Sequence, residues 1–220
     1  MVEKSDNMSV RYFYVQLIDD DSGYAVEEYD CGLHDVKEVC NYIGCDSSLF
    51  LRNKRTGLTE DQVRKANELF DLAIIPEYEF VDLCTWSGDD GLPYRAHSNR
   101  ELPLMLAKQK PLSFFTELCP KPNNSLDTPE KIFDPYVKKG LFVKLEYCEP
   151  IPEMHPVYFG ERVIMYAQLG EEWRINAYIL VRSLARKMGW SDALIRLEGS
   201  LLGYAEWQND AFMARSKSSG

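Results

Sequence analysis

The stretch RYFYVQLIDDDSGYAVEEY, residues 11–29, decides the fold class. Arg11 to Ile18 is dense in aromatic and branched residues, Asp19 to Gly23 is a cluster of turn formers, and Tyr24 to Tyr29 resumes the strand pattern. This is a β-hairpin signature. Leu33, Val36, Val39, Cys40 and Ile43 follow at helical spacing and stop at Gly44, a residue suited to the left-handed position that ends a helix. A hairpin running straight into an amphipathic helix predicts an α+β fold, in which further antiparallel strands pack against helices.

Working outward, Thr59 and Gln62 have capping-box spacing ahead of the apolar stripe Val63, Ala66, Leu69 and Phe70, so a second helix is expected to about Leu72. Pro76 closes it, and alternation from Tyr78 to Trp86 predicts a strand that ends in the loop 87–93. Ser98 and Glu101 repeat the capping-box spacing, which predicts a helix from Asn99. Pro103 would then occupy its fifth position and remove a hydrogen bond. Lys110-Pro111 is a second break.

Between Cys119 and Gly140 the chain carries Pro120, Pro122, Pro129, Pro135 and the run Asn123-Asn124-Ser125, which reads as a long surface connection and the sole boundary candidate within a single domain spanning 1–213. Residues 141–147 and 162–168 have strand character and are expected to be neighbours. The last third reads as helical. Trp173, Ala177, Leu180, Val181, Leu184 and Met188 form one apolar stripe ended by Gly189, Ser191 caps a further helix up to Gly203, and Tyr204 to Met213 forms a last one. The small, polar residues 214–220 read as a disordered tail.

With 220 residues, 45% of them apolar, the chain can fill its own core. No basic segment followed by a long apolar run opens it, and no apolar stretch approaches the roughly 20 residues a membrane span needs, so a cytoplasmic protein without a membrane segment is expected. Six cysteines, Cys31, Cys40, Cys45, Cys84, Cys119 and Cys148, stand singly without a C-x-x-C pair and read as reduced thiols. The net charge of −10 is uneven, with 9 basic and 20 acidic residues in 1–98 against 16 and 15 in 99–220. No basic residue lies between Lys65 and Arg95. Such a half repels phosphate backbones, which argues against direct nucleic-acid binding, and attracts a protein with a basic surface.

The glycine-rich phosphate loops, nucleophile elbow, zinc-protease and calcium-loop motifs are absent, so no cofactor is expected. Cys31, His34, Cys40 and Cys45 are zinc-type ligands within one short stretch. On a helix, however, His34 and Cys40 lie about 240° apart and cannot both face one ion. Cys148 and His155 form a possible thiol and base, against which stands an inward strand cysteine with a solvated loop histidine. Around Arg95, His97, Ser98, Arg100 and Glu101, cations gather at an expected helix start, where free N–H groups favour an anion. His97 and Glu101 are the candidate acid–base residues there, and Arg95, Ser98 and Arg100 the candidate ligand-binding residues. The plain alternative is that Arg95 and Arg100 neutralise Asp89 and Asp90. Arg174, in Gly170-Glu171-Glu172-Trp173-Arg174, is a further candidate ligand-binding residue. Tyr204, Trp207, Gln208, Asn209 and Asp210 mix aromatic and amide groups as a binding surface does, and a docked terminal helix accounts for them equally.

Two function classes remain: a non-catalytic binding or regulatory module with an acidic N-terminal docking surface, and a small-molecule enzyme or ligand binder with an anion site around Arg95, His97 and Arg100.

Overall fold

In the computed structural model, which describes residues 10–75, 80–86, 92–119, 129–150 and 160–218 (side chains to 215), the hairpin forms from β1 (Val10–Ile18) and β2 (Ala25–Asp35). The elements after it are α1 (Val36–Ile43), α2 (Ser47–Asn53), β3 (Arg55–Gly57), α3 (Glu60–Phe70) and β4 (Val81–Trp86). Then come α4 (Glu101–Leu106), β5 (Leu112–Cys119), α5 (Pro129–Lys138), β6 (Phe142–Pro150), β7 (Gly160–Gln168), α6 (Trp173–Met188), α7 (Asp192–Leu201) and α8 (Glu206–Ser218). The architecture is α+β, with antiparallel sheets of four and three strands and a helical C-terminal third. Among the described residues no helix is long and apolar enough to cross a membrane.

Two compact units are distinguished, one of Met1–Asp20 and Ala25–Gly91, the other of Asp21–Tyr24 and Leu92–Gly220. The proline-rich run 119–140 belongs to the second unit. Within that run Pro129–Lys138 is helix α5. Pro129 occupies its first position, where a missing N–H costs nothing, and Ile132 and Phe133 are buried.

In the first unit the sheet order is β2-β1-β4-β3. Phe13, Val15 and Leu17 of β1 alternate inward with Val81 and Leu83 of β4, beneath Val36, Val39, Cys40 and Ile43 of α1 and Val63 and Ala66 of α3. Phe50 of α2 stacks on Phe13, with ring centroids 5.5 Å apart. α1 ends at Gly44 in the left-handed conformation, as expected. Leu33, however, belongs to β2 and is exposed, because Asp35 rather than an earlier residue caps α1 by accepting from the N–H groups of Lys37 and Glu38. The capping box of α3 is present in both directions between Thr59 and Gln62. Of the strand expected over 78–86, Val81–Trp86 is observed, and Tyr78 lies outside the described residues.

In the second unit β7 stands between β5 and β6. Val163, Met165 and Ala167 face Ile175, Tyr178, Val181 and Leu201 of α6 and α7. Ile164 and Tyr166 point the opposite way, where Phe133 of α5 stacks on Tyr166 at 4.6 Å and Phe115 and Phe142 complete an aromatic layer. α6 does not bury the stripe expected from sequence. Its inward residues are Ile175, Tyr178, Val181 and Ala185, while Trp173, Leu180 and Met188 are 56%, 60% and 79% exposed. The helix carries two apolar arcs, and the one holding the small Ala185 packs down on the sheet. α8 continues to Ser218, past the expected end at Met213, because Ala214, Arg215 and Lys217 are good helix formers.

Gly203, which follows the C-cap residue Leu202 of α7, adopts φ +92, and a Cβ there would lie 2.5 Å from Pro111 Cδ and 3.1 Å from the Gln109 carbonyl oxygen. This close approach of Gly203 to the Pro111 ring and the Gln109 and Lys110 backbone seats residues 109–111 against the turn after α7. Gly203→Ala is therefore expected to destabilise the protein by roughly 2–4 kcal/mol, combining left-handed strain with overpacking. Chemical denaturation followed by circular dichroism checks it, and an unchanged midpoint would contradict the packing described.

Candidate functional site

The helix after His97 starts two residues later than its sequence suggests. α4 begins at Glu101, its N-cap is Arg100 with no side-chain capping bond, and Asn99 before it has φ +60. The expected box between Ser98 and Glu101 does not form. Pro103 explains the shift: with Glu101 first, the proline is third and its missing N–H falls among donors that lack helical partners anyway. With only six residues, α4 offers no substantial dipole for an anion.

What forms instead is an aromatic and charged cluster joining two stretches that the sequence singles out separately. The His97 ring stacks flat on Tyr204, with centroids 3.9 Å apart and planes 11° from parallel, and the His97 backbone N–H donates to the Tyr204 hydroxyl at 2.9 Å. Tyr94 tilts against Tyr204 and meets Trp207 edge-on at 5.4 Å. Lys110, only 4% exposed, places its Nζ 5.9 Å from the Tyr204 ring centroid. Lys110 appears in the sequence only as a break before proline, and no periodicity marks a lysine that will be buried.

Burial governs the protonation of this cluster. Desolvation, then the charges of Lys110 and Arg100, push the His97 imidazole down to about 4, although its bond to the Leu202 backbone works the other way. Burial lowers Lys110 to about 8 against the attraction of Glu101. It also raises Glu101, whose carboxyl is held by the backbone N–H groups of Asn99, Arg100 and Glu101 itself. Glu101 thus caps the start of α4, and His97 is a neutral ring whose Nδ1 is buried without a hydrogen-bond partner.

Of the other expected site residues, Arg95 and Arg100 are half-buried on either side of His97, and Asp89 and Asp90 lie outside the described residues. Arg174 is committed elsewhere: it pairs with Glu171 at 2.5 Å, donates to the carbonyls of Ser200 and Leu201 at 3.0 and 3.3 Å, and stacks on Trp173. It serves the C-terminal end of α7. Ser98 is exposed and lines a cavity of about 290 Å³ together with Tyr94, Ala96, Leu202, Tyr204 and Phe212. Glu198, Asn209 and Arg215 supply further polar groups to its wall. Glu198 accepts from the Tyr178 hydroxyl at 2.9 Å, and burial raises its carboxyl. Most of its lining is apolar or aromatic.

Of the residues with zinc-type side chains in the first half, Cys40 lies in the core and Cys31 and His34 on β2, where the His34 ring meets the Cys31 carbonyl oxygen at 2.6 Å. Among the described residues no three His, Cys, Asp or Glu are grouped to hold a metal ion. His155 lies outside the described residues.

The pH dependence has a definite sign. Between about 4 and 6.5 the unfolded chain binds a proton at His97 that the folded one refuses, so this residue adds stability as pH rises through that window. Lys110 does the same between about 8 and 10.5. Glu101, raised by burial, opposes His97 just above its ordinary range. In a proton NMR titration the His97 ring signal is expected to stay at its neutral position through pH 6 and to move near pH 4, and a midpoint near 6.5 would contradict the buried, neutral assignment. No model of a known protein family, no curated protein and no solved structure matches the chain, so the functional reading rests on this geometry.

Proposed function

We propose that the chain is a non-catalytic binding module whose N-terminal unit docks a basic segment of a partner protein along β2. The supporting observation is the composition of a sheet edge. β2 stands at the end of the order β2-β1-β4-β3, and its eleven residues include Glu27, Glu28, Asp30 and Asp35 but no Lys or Arg. An end strand offers backbone donors and acceptors to an added strand, and its side chains choose the partner. Tyr12 donates to Asp30, Tyr29 to Glu27 at 2.7 Å, and Gln16 to Glu28 at 3.0 Å, so these carboxylates are held in place rather than free to turn away. Their field and that of the surrounding acidic unit steer a basic segment toward this edge.

The cavity beside Ser98 favours a second reading, a binder of a small, largely apolar molecule with one polar end. The two readings respond differently to salt. Capture of a basic partner from cell extract is expected at 50 mM sodium chloride and its loss at 500 mM, and neutralising Glu27→Gln with Asp30→Asn should weaken the isolated complex by roughly tenfold at low salt, about 1.4 kcal/mol. Binding that ignores both salt and these substitutions, together with thermal stabilisation by apolar metabolites, would favour the cavity instead.

A further inference from the structure

Cys119 and Cys148 stand singly in sequence, 29 residues apart, yet their Sγ atoms are 2.8 Å from each other. Cys119 ends β5, Cys148 lies near the end of β6, and the two strands flank β7, with Cys119 opposite Gly160 and Cys148 opposite Arg162. Gly160 marks a tight approach of strands beside this pair. A Cβ at that position would lie 2.4 Å from the Glu149 carbonyl oxygen, so β6 closes on β7 more tightly here than a side chain would permit. Closing from the observed separation to a disulfide needs about 0.8 Å of sulfur movement. Cys148 is exposed and Cys119 half-buried, so a small oxidant reaches the pair from solvent, whereas Cys40 and Cys84 are buried. Neither thiol belongs to a group arranged for a metal ion among the described residues.

We propose that Cys119 and Cys148 form an oxidant-responsive dithiol site, converted by a peroxide into a disulfide that ties the end of β5 to the end of β6 across β7. The accessible Cys148 sulfur attacks one peroxide oxygen, the O–O bond breaks, and Cys148 becomes a sulfenic acid while the first water leaves with the thiol proton. The Cys119 sulfur then attacks the Cys148 sulfur, the S–S bond forms, the S–O bond breaks, and the hydroxyl departs as a second water with the Cys119 proton. Two thiols and one hydrogen peroxide give one disulfide and two waters. The contact with Cys119 raises the Cys148 thiol, so the reaction quickens as pH rises.

The test uses the full chain, reduced, freed of reductant, treated with hydrogen peroxide, and alkylated under denaturing conditions. Four alkylated cysteines in place of six, an underivatised mass lower by about 2 Da, and one cross-linked species carrying both Cys119 and Cys148 are expected, with dithiothreitol restoring all six. Cys119→Ser and Cys148→Ser should each abolish the mass loss while retaining the circular dichroism of the parent, and Cys→Ala replacements serve if a serine variant does not fold. Six alkylations after peroxide, oxygen addition at Cys148 without a cross-link, or a bridge to Cys31 or Cys45 would overturn the proposal.

Discussion

Five consecutive side chains of β7, Val163 to Ala167, are withdrawn from solvent, and a strand buried on both faces has to be covered twice. That constraint organises the second unit. α6 and α7 cover one face and α5 the other, and on each side a buried tyrosine fixes its cover through a carboxylate. Tyr166 donates to Asp134 of α5 at 2.9 Å, and Tyr178 of α6 donates to Glu198 of α7 at 2.9 Å. Removing either carboxylate would strand a phenol in a dry interior, so the bonds act as register marks for the helices as much as sources of stability.

The same logic explains the charged residues that look catalytic at first sight. Arg162 leaves the central strand and binds Glu117 of β5, Glu130 of α5 and Glu146 of β6, so a single guanidinium joins three elements. Arg182 and Arg186 of α6 reach Glu149 and Glu161, residues paired across β6 and β7. Glu101 attracts the buried Lys110, and His97 stays neutral chiefly because it is buried, with the charges of Lys110 and Arg100 adding to the effect. Shifted protonation in this protein follows from packing charge into tight space and does not require a reaction to explain it.

Local signals in the sequence carry to the structure where the physics is local. The hairpin, Gly44, the Thr59 box and Ser191 each depend on residues within a few positions of one another, and each is where the pattern places it. The failures share a different cause. β5 lacks clean alternation because Leu112 and Ser113 are buried in succession on opposite faces, so a strand between two covering layers does not look like one. α6 is apolar on two arcs, and only the shape of β7 decides which is buried. At Ser98 the capping pattern was genuine but a proline two residues past Glu101 outweighed it. The meetings of His97 with Tyr204 and of Cys119 with Cys148 are set by topology, and no spacing rule reaches across that distance.

The asymmetry of charge gains meaning from how each unit uses its cations. In the second unit Arg162, Arg182 and Arg186 each hold carboxylates from separate elements, and the balance over 99–220 is near neutral. The first unit is built differently. Arg64 pairs with Glu60 and Asp61 on its own helix and Arg55 with Asp82 on the adjacent strand, while the carboxylates of β2 are held by tyrosine, glutamine and backbone donors. A hydrogen bond from a neutral donor fixes a carboxylate without cancelling its charge. Acidic residues gathered on an edge strand add little to stability by themselves, whereas a surface that selects a basic partner depends on them, in keeping with the docking role proposed for β2.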